Sequence, residues 1–156
     1  MKTLLQISII AFLVTACHQD KTINVFSKDL KSLKEKEEIL DKYIRKQSQV
    51  LDSEYYIRYQ DNNGGLVPGP SDYYISVALK VNPDSIYNWV NYLEPTDSFK
   101  IDDWNLLKLN PNSWELKGPA SFYRSSLGTE LKVVFKKYNI VLAQYSTMPI
   151  NIQYVE

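Results

Sequence analysis

The segment DYYISVALKV, residues 72–81, alternates two kinds of side chain with a period of two residues. Successive side chains of a β-strand point to opposite faces of a sheet. One face would therefore carry the larger apolar groups, and the other would carry a mixture of polar and small groups. The first set is Tyr73, Ile75, Val77, Leu79 and Val81, and the second is Tyr74, Ser76, Ala78 and Lys80. This alternation predicts a strand with one face on a hydrophobic core.

A second strand is predicted just before this one. Residues 54–60 are rich in tyrosine, a residue type that is favoured in strands. Between the two segments lies DNNGGLVPGP, residues 61–70, which contains three of the five glycines and cannot form regular structure. The two segments are therefore predicted to form a hairpin with a long loop.

Further strands are predicted in the second half of the chain. Leu131, Val133 and Phe135 alternate with the charged residues Glu130, Lys132 and Lys136. A strand run at residues 140–146 follows after a turn around residues 137–139. These two runs are expected to pair as a hairpin. Another run of strands is expected to begin at residues 114–117, and residues 150–155 are expected to add an edge strand.

Two helices are also predicted. The first begins at Ser27, which can cap it, and runs to about Leu51. Its apolar residues recur at a spacing of three and four, which favours packing on a sheet over a two-stranded coil. This stripe comprises Leu30, Leu33, Leu40, Ile44 and Leu51, and it is widened by Ile39, Tyr43 and Val50. The second helix begins at Asn82, has Pro83 in its first turn and ends before Pro95.

Helices at the start and in the middle of the chain, with antiparallel strands around them, indicate an α+β fold. In this prediction the N-terminal amphipathic helix and the second helix pack on an antiparallel β-sheet. The chain has 156 residues, which is enough for one hydrophobic core. Residues 27–156 are therefore expected to form a single globular domain.

The first residues have the features of a secretory signal. Lys2 supplies a positive charge, residues 4–14 are mostly apolar, and the small residues Thr15 and Ala16 follow. The apolar core is too short to span a hydrocarbon layer, which requires about 20 helical residues. The sequence Val14-Thr15-Ala16-Cys17 resembles the lipobox of bacterial lipoproteins, in which an aliphatic residue and two small residues precede an invariant cysteine.

This resemblance implies a diacylglyceryl thioether on Cys17, cleavage before it, and an acyl group such as palmitate on the new amine. Several chains make such an anchor durable, because each buried methylene contributes about 0.8 kcal/mol. Residues 1–16 would be the signal peptide, and residues 17–26 the lipidated cysteine with a short tether. His18 stands where an aspartate would alter sorting, which implies the outer membrane, facing the periplasm. The alternative is an ordinary signal peptide that ends near a cysteine.

Charge and composition exclude several classes of function. Without Lys2, 17 basic residues face 18 acidic ones, so there is no excess of positive charge to attract nucleic acid. Cys17 is the only cysteine and His18 the only histidine, and both lie beside the predicted anchor. Disulfides, zinc sites and Ser-His-Asp or Cys-His catalysis are therefore not expected, and no metal or cofactor is predicted.

The loop sequence DNNGG, residues 61–65, partly matches a calcium-binding loop, in which oxygen ligands alternate along the chain. Such a loop requires glycine at its sixth position and glutamate at its twelfth. Leu66 and Asp72 occupy those positions here. A glycine-rich turn is therefore preferred to a calcium site.

A group of carboxylates could supply the acid and base of a glycan-cleaving enzyme. Asp102 and Asp103 are adjacent in sequence, and Glu94, Asp97 and Glu115 lie nearby. Neighbouring residues in a strand or turn rarely point in the same direction, so helix capping or a surface role is preferred. An enzyme is not predicted.

The tyrosine content of the chain is high. It has 12 tyrosines, several of which flank the glycine-rich loop. Tyrosine offers a large contact area at low entropic cost and is enriched at protein interfaces. Packing of half-buried strand faces would account for the same residues. The candidate partner-binding residues are Tyr56, Tyr59, Asn62, Asn63 and Tyr73.

The preferred function is that of a small lipid-anchored periplasmic lipoprotein that binds a protein, either as an envelope accessory protein or as an inhibitor of a toxin. One alternative is a module that binds glycan or peptidoglycan, and a carboxylate-dependent hydrolase is another. A flat aromatic patch would favour a protein partner, a groove lined by aromatic residues would favour glycan, and two convergent carboxylates would favour hydrolysis.

Overall fold

The computed structural model describes residues 21–62, 70–100 and 102–154. Its strands are β1 Lys21–Phe26, β2 Val50–Asp61, β3 Asp72–Val81, β4 Glu94–Thr96, β5 Phe99–Lys100, β6 Ser121–Arg124, β7 Glu130–Phe135, β8 Ile140–Ser146 and β9 Gln153–Tyr154. Seven of them form an antiparallel sheet in the order β1-β2-β3-β8-β7-β6-β4. The other two, β5 and β9, form a separate two-stranded sheet.

The helical segments are short. They comprise one α-helix, α1 Leu33–Leu40, and four 3₁₀ helices, η1 Ser27–Asp29, η2 Pro83–Trp89, η3 Asp102–Leu107 and η4 Lys136–Tyr138, within the described part of the chain. None of the helices in this part is long and apolar enough to cross a membrane.

The prediction of an α+β fold is wrong, because the described chain is mainly β. The long N-terminal helix is replaced by η1, by α1 and by the first residues of β2. Leu40 and Ile44 of the predicted stripe are buried, whereas Leu33 and Leu51 are 39% and 49% exposed. Apolar residues therefore recur at a spacing of three and four from Leu30 to Leu51, although only the eight residues Leu33–Leu40 of this segment form an α-helix.

Ser27 does not cap a long helix because its hydroxyl is used elsewhere. It accepts a hydrogen bond from the Tyr55 backbone N–H at 2.8 Å and donates one to Glu54 Oε2 at 2.5 Å. Ser32 caps α1 instead, where its hydroxyl accepts from the Glu35 N–H at 3.2 Å. The helix therefore starts later than predicted, and Ser27 joins the sheet.

The predicted second helix is a 3₁₀ helix, η2, and not an α-helix. Asn82 caps it as predicted, because its side-chain oxygen accepts from the Asp84 N–H at 3.2 Å. Pro83 lies in its first turn, and Ile86 and Trp89 are buried.

The predicted tether also differs from the structure. Lys21–Phe26 forms β1, which pairs with β2 so that Lys21 lies opposite Asp61 and Phe26 opposite Tyr56. Residues 1–20, with the predicted signal peptide and Cys17, lie outside the described residues. The division into signal, anchor and domain stays a prediction.

The predicted hairpin of β2 and β3 is confirmed. Ile75, Val77 and Leu79 are fully buried, as the alternation predicts. Leu40 of α1 and Trp89 of η2 pack with them in one core cluster. We call this side of the large sheet the helix face.

The opposite side of the sheet is covered as well. The 3₁₀ helix η3 lies across β2 and β3, and Leu107 and Trp114 pack there with Leu131 and Leu142. We call this side the η3 face. Ser76 is fully buried on it, so the sheet is buried on two faces and not on the single face that the pattern predicts.

The hairpin of β7 and β8 is confirmed, with Asn139 at its turn in the left-handed conformation at φ 55°. The expected edge strand at residues 150–155 is reduced to β9, which pairs with β5 and not with the large sheet. The strand run expected from residues 114–117 begins instead with β6 at Ser121.

Candidate functional site

The structure does not bring the five candidate binding residues together. Tyr59 and Tyr73 lie opposite each other, and Tyr73 packs against the core of the helix face. Tyr56 packs against the core of the η3 face, so the sheet separates it from the other two tyrosines. Asn63 lies outside the described residues. Tyr56 and Tyr59 therefore lie on opposite faces of the sheet, whereas Tyr73 also lines a cavity beside Arg58.

Tyr56 is held by contacts with β1. Its ring centroid lies 4.8 Å from that of Phe26, and its hydroxyl donates to Asn24 Oδ1 at 2.8 Å. These contacts fix the ring on the η3 face, near the edge of the sheet that β1 forms. A fixed aromatic ring loses little conformational entropy when a ligand binds.

Asn62 closes the base of the glycine-rich loop. Its Nδ2 donates to the Pro70 carbonyl at 2.7 Å and to Asp72 Oδ2 at 3.2 Å. The other oxygen of Asp72 accepts from Thr147 Oγ1 at 3.0 Å, which ties the loop base to the end of β8. The observed contacts of Asn62 are thus structural.

Two cavities open next to this loop base on the η3 face. One has a volume of about 330 Å³ and is lined by Tyr56, Arg58, Tyr74 and Leu106. The other has a volume of about 230 Å³ and shares Arg58 and Tyr74 with the first. Its remaining lining residues are Gln60, Asp72, Tyr73, Ser146, Thr147 and Met148. We call the two cavities together the Arg58 cleft. Its tyrosines line a groove and do not form a flat patch.

Arg58 supplies the positive charge of this cleft. It is exposed, and within the described ranges no carboxylate lies close enough to form an ion pair with it. Since a guanidinium carries five donors in a fixed planar fork, it is suited to a carboxylate or to another planar acceptor. The larger cavity therefore combines a cation with apolar and aromatic walls, whereas the smaller one also contains the Asp72 carboxylate.

Buried polar atoms without partners lie beside the cleft. Ser76 on β3 lies next to Tyr56 on β2 and opposite Gln144 on β8. Ser76 Oγ, Gln144 Oε1 and Trp104 Nε1 of η3 are buried and have no hydrogen-bond partner among the residues that the structure describes. Such atoms are uncommon, because each one loses its hydration without compensation.

Sequence reasoning missed Arg58, Tyr74 and Leu106. Strand alternation alone places Tyr56 and Arg58 on one face, and Tyr74 on the second face of its own strand. Pairing of β2 with β3 in the hairpin then places Arg58 opposite Tyr74. A search by face, and not by residue type, would have found the Tyr56, Arg58 and Tyr74 group.

A third cavity, of about 280 Å³, contains two carboxylates and bears on the hydrolase interpretation. Asp52 and Glu54 line it from β2, together with Trp114. Lys80 Nζ lies 3.5 Å from Asp52 Oδ2, and Lys36 Nζ lies 2.7 Å from Glu54 Oε1. Glu54 also accepts the hydrogen bond from Ser27, so these carboxylates serve the fold.

The carboxylates named in the sequence prediction are dispersed. Glu94 and Asp97 are exposed, and Glu115 accepts a hydrogen bond from the Tyr138 hydroxyl at 3.2 Å. The side chains of Asp102 and Asp103 lie outside the description. Across the described ranges, no group of three or more Asp, Glu, His and Cys residues could hold a metal ion.

Lys132 forms a buried polar cluster on the helix face. It is fully buried, and its ammonium donates to the Trp89 carbonyl, to the Tyr92 hydroxyl and to Glu130 Oε1. Burial lowers the pKa of Lys132, although the negative charge of Glu130 acts in the opposite direction. Burial also raises the pKa of Tyr92, as does its hydrogen bond to Glu130. All three ammonium donors are used, so this cluster holds η2 on the sheet and leaves no group for a ligand.

Comparison with known proteins finds no relative. No family model matches the chain, and neither the curated proteins nor the solved structures include a significant match.

Proposed function

We propose that this chain is a small lipoprotein of the bacterial envelope, anchored through lipid on Cys17, whose domain binds a protein partner in the periplasm and catalyses no reaction. The observation that carries the proposal is the Arg58 cleft, where Arg58, which forms no ion pair within the described residues, lines the larger cavity together with two tyrosines. Arginine and tyrosine are among the residue types that contribute most to binding energy at protein interfaces.

The geometry of the cleft supports this proposal. Tyr56 is fixed by Phe26 and Asn24, and Leu106 adds an apolar wall that is 40% exposed. A partner side chain that fills such a pocket would exclude water from the guanidinium and strengthen its hydrogen bonds. An acidic and apolar segment of a protein fits this combination of groups.

A glycan is the second candidate ligand, because the two tyrosines line a groove and not a flat patch. Aromatic walls with a polar floor also suit a sugar ring. The larger cavity, however, presents Arg58 as its one charged group among residues that are otherwise tyrosine and leucine. A guanidinium with apolar neighbours favours an anionic protein segment over a neutral sugar.

Photo-crosslinking in intact cells tests the proposal. A benzophenone amino acid in place of Tyr74 should form a discrete covalent product with an envelope protein, and Arg58→Ala should abolish this product. Tyr87, which is 53% exposed and contacts Lys136 away from the cleft, is the matched control position. Equal products at positions 74 and 87, or a product that survives Arg58→Ala, would contradict the proposal.

Binding of soluble peptidoglycan fragments separates the two candidates. Titration should shift the methyl resonances of Leu106, which lines the larger cavity, only if glycan enters the cleft. A saturable shift that Arg58→Ala removes, without any crosslinked protein, would replace the protein proposal with the glycan one.

A further inference from the structure

The register of β1 fixes which end of the sheet lies beside the predicted lipid anchor. Lys21, the first residue of β1, lies opposite Asp61, the last residue of β2. This end also contains the base of the glycine-rich loop and the end of β8 at Ser146, which lies opposite Tyr74. We call it the loop end of the sheet, and the end that contains Val50 and Val81 the far end.

The chain between Cys17 and Lys21 is short. Four residue steps of fully extended chain span at most about 14 Å. From Asp61 to Val50, strand β2 extends over roughly 36 Å at about 3.3 Å per residue. With lipid on Cys17, the loop end is therefore held close to the membrane surface, while the far end is beyond the reach of the anchor unless the domain lies flat.

The distribution of exposed apolar side chains decides between these two orientations. Among the described residues, the large apolar side chains with the highest exposure are Leu127 at 75% and Met148 at 65%. Met148 follows the end of β8, and Leu127 lies in the turn between β6 and β7. The Ile150 N–H donates to the Gly128 carbonyl at 2.8 Å, which joins these two segments. Both side chains thus lie at the loop end.

From these two independent observations we infer that the loop end of the sheet rests on the membrane, with Leu127 and Met148 in contact with the lipid surface. The inference uses the anchor of the proposed function but not its protein partner. Exposed apolar groups gain free energy when they leave water for the boundary of headgroups and acyl chains. A lipid surface also accommodates side chains that are separated along the end of the sheet, because it needs no shaped complement.

This orientation has a consequence for the Arg58 cleft. Met148 lines one of its two cavities and also belongs to the membrane-contacting end. The cleft therefore opens beside the membrane surface. A partner that reaches it is held at the same membrane.

Site-specific fluorescence tests the orientation. Cys17 is the only cysteine, so an introduced cysteine is the single free thiol of the lipidated protein. Leu127→Cys and Met148→Cys would be labelled with bimane, and the full lipidated chain would be reconstituted in phosphatidylethanolamine and phosphatidylglycerol vesicles that contain doxyl-labelled lipid. Leu51→Cys is the matched control, since Leu51 is 49% exposed near the far end.

The expected result is a blue shift and loss of emission at positions 127 and 148, and neither at position 51. Quenching at position 51 that equals quenching at positions 127 and 148 would overturn the orientation. So would emission at all three positions that is unaffected by the labelled lipid. If the wild-type chain does not associate with the vesicles, the anchor itself is wrong and the orientation falls with it. Loss of the crosslink at position 74 with quenching retained would instead remove only the protein partner.

Discussion

Lys132 Nζ lies 2.7 Å from Glu130 Oε1 across the same face of β7, and the lysine side chain is fully buried. The Tyr92 hydroxyl accepts from the ammonium at 2.5 Å and donates to the same carboxylate oxygen at 2.6 Å. The Trp89 carbonyl accepts the third ammonium donor. A buried charge that is paired and hydrogen-bonded in this way is costly to disrupt from one side.

Lys132→Met should therefore destabilise the domain strongly. The methionine retains most of the aliphatic volume but leaves Glu130 without its cation, and the expected cost is about 3–5 kcal/mol in the free energy of unfolding. Urea denaturation of Lys132→Met, Glu130→Gln and the double variant measures the coupling between the two residues. The double variant should recover part of the loss. A Lys132→Met protein as stable as the wild type would show that the ammonium does not hold η2 on the sheet.

The stability of the protein should fall in alkali, with a contribution from Tyr55. Burial raises the pKa of Tyr55 from 10.0 to about 12, so the folded state keeps its phenol proton after the unfolded state has lost it. A folded pKa above the unfolded pKa gives stability that is present below pH 10.0 and is lost as the pH rises through about 12. Tyr92 and Tyr145, whose pKa values are also raised by burial, act in the same direction. Lys132 acts in the opposite direction, because its pKa is lowered.

Tyr55→Phe isolates this contribution. At neutral pH the variant should be less stable by about 0.5–1.5 kcal/mol, because it loses the hydrogen bond that the hydroxyl donates to the Lys36 carbonyl at 3.0 Å. That difference should shrink and then reverse as the pH rises from 10.0 toward about 12. Urea denaturation of both proteins over this pH range provides the measurement. A difference that is constant with pH would mean that Tyr55 titrates equally in the folded and unfolded states.

Four of the leucine and isoleucine positions of the predicted N-terminal stripe should divide into two groups. Leu40→Ala and Ile44→Ala remove buried side chains and should each cost about 2–5 kcal/mol. Leu33→Ala and Leu51→Ala remove exposed side chains and should change stability by no more than about 0.5 kcal/mol. Melting temperatures of the four variants provide the measurement. Similar losses at all four positions would support the long helix after all.

These positions also show where sequence reasoning succeeds and where it fails. The period of two in residues 72–81 predicts β3 correctly, because each side chain is constrained by its own strand. The helical spacing of residues 30–51 wrongly predicts one long helix. Ser27 bonds to Glu54 and Val50 pairs with Val81, and both contacts join residues that are distant in sequence. Local periodicity has no information about those contacts.

The candidate site likewise contains residues that local sequence predicts and residues that depend on contacts distant in sequence. Tyr56 and Asn62 can be named from composition and loop position, and the hairpin places Arg58 opposite Tyr74. Gln144 could not be assigned to the site, because it reaches Ser76 through the pairing of β3 with β8, which are distant in sequence. Residue type alone does not separate Tyr59 from Tyr56, which alternation places on the opposite face of β2, whereas Tyr73 lines the smaller cavity of the cleft.

The lipid anchor yields a direct prediction. Wild-type protein expressed with labelled palmitate should incorporate the label and fractionate with membranes, because Cys17 follows the lipobox-like sequence. Cys17→Ser should remain unlabelled and be released from membranes. His18→Ala retains the cysteine and serves as the control. A wild-type protein that is soluble and unlabelled would exclude the anchor.

The last prediction concerns the buried hydroxyl of Ser76 below the Arg58 cleft. Because Ser76 Oγ has no hydrogen-bond partner within the described part of the chain, Ser76→Ala should leave the free energy of unfolding unchanged or raise it by up to about 1 kcal/mol. If a bound partner uses this hydroxyl, the same variant should weaken crosslinking from position 74 by about tenfold or less, the value of one hydrogen bond.

Ser53 supplies the matched control for that variant. It is also fully buried, and its Oγ also lacks a partner, but strand alternation places it with Tyr55 on the helix face, across the sheet from the cleft. Ser53→Ala should therefore have the same small effect on stability and no effect on crosslinking. Equal crosslinking in both variants would show that the partner does not reach Ser76. A large loss of stability in Ser76→Ala would show that the hydroxyl serves the fold and not the ligand.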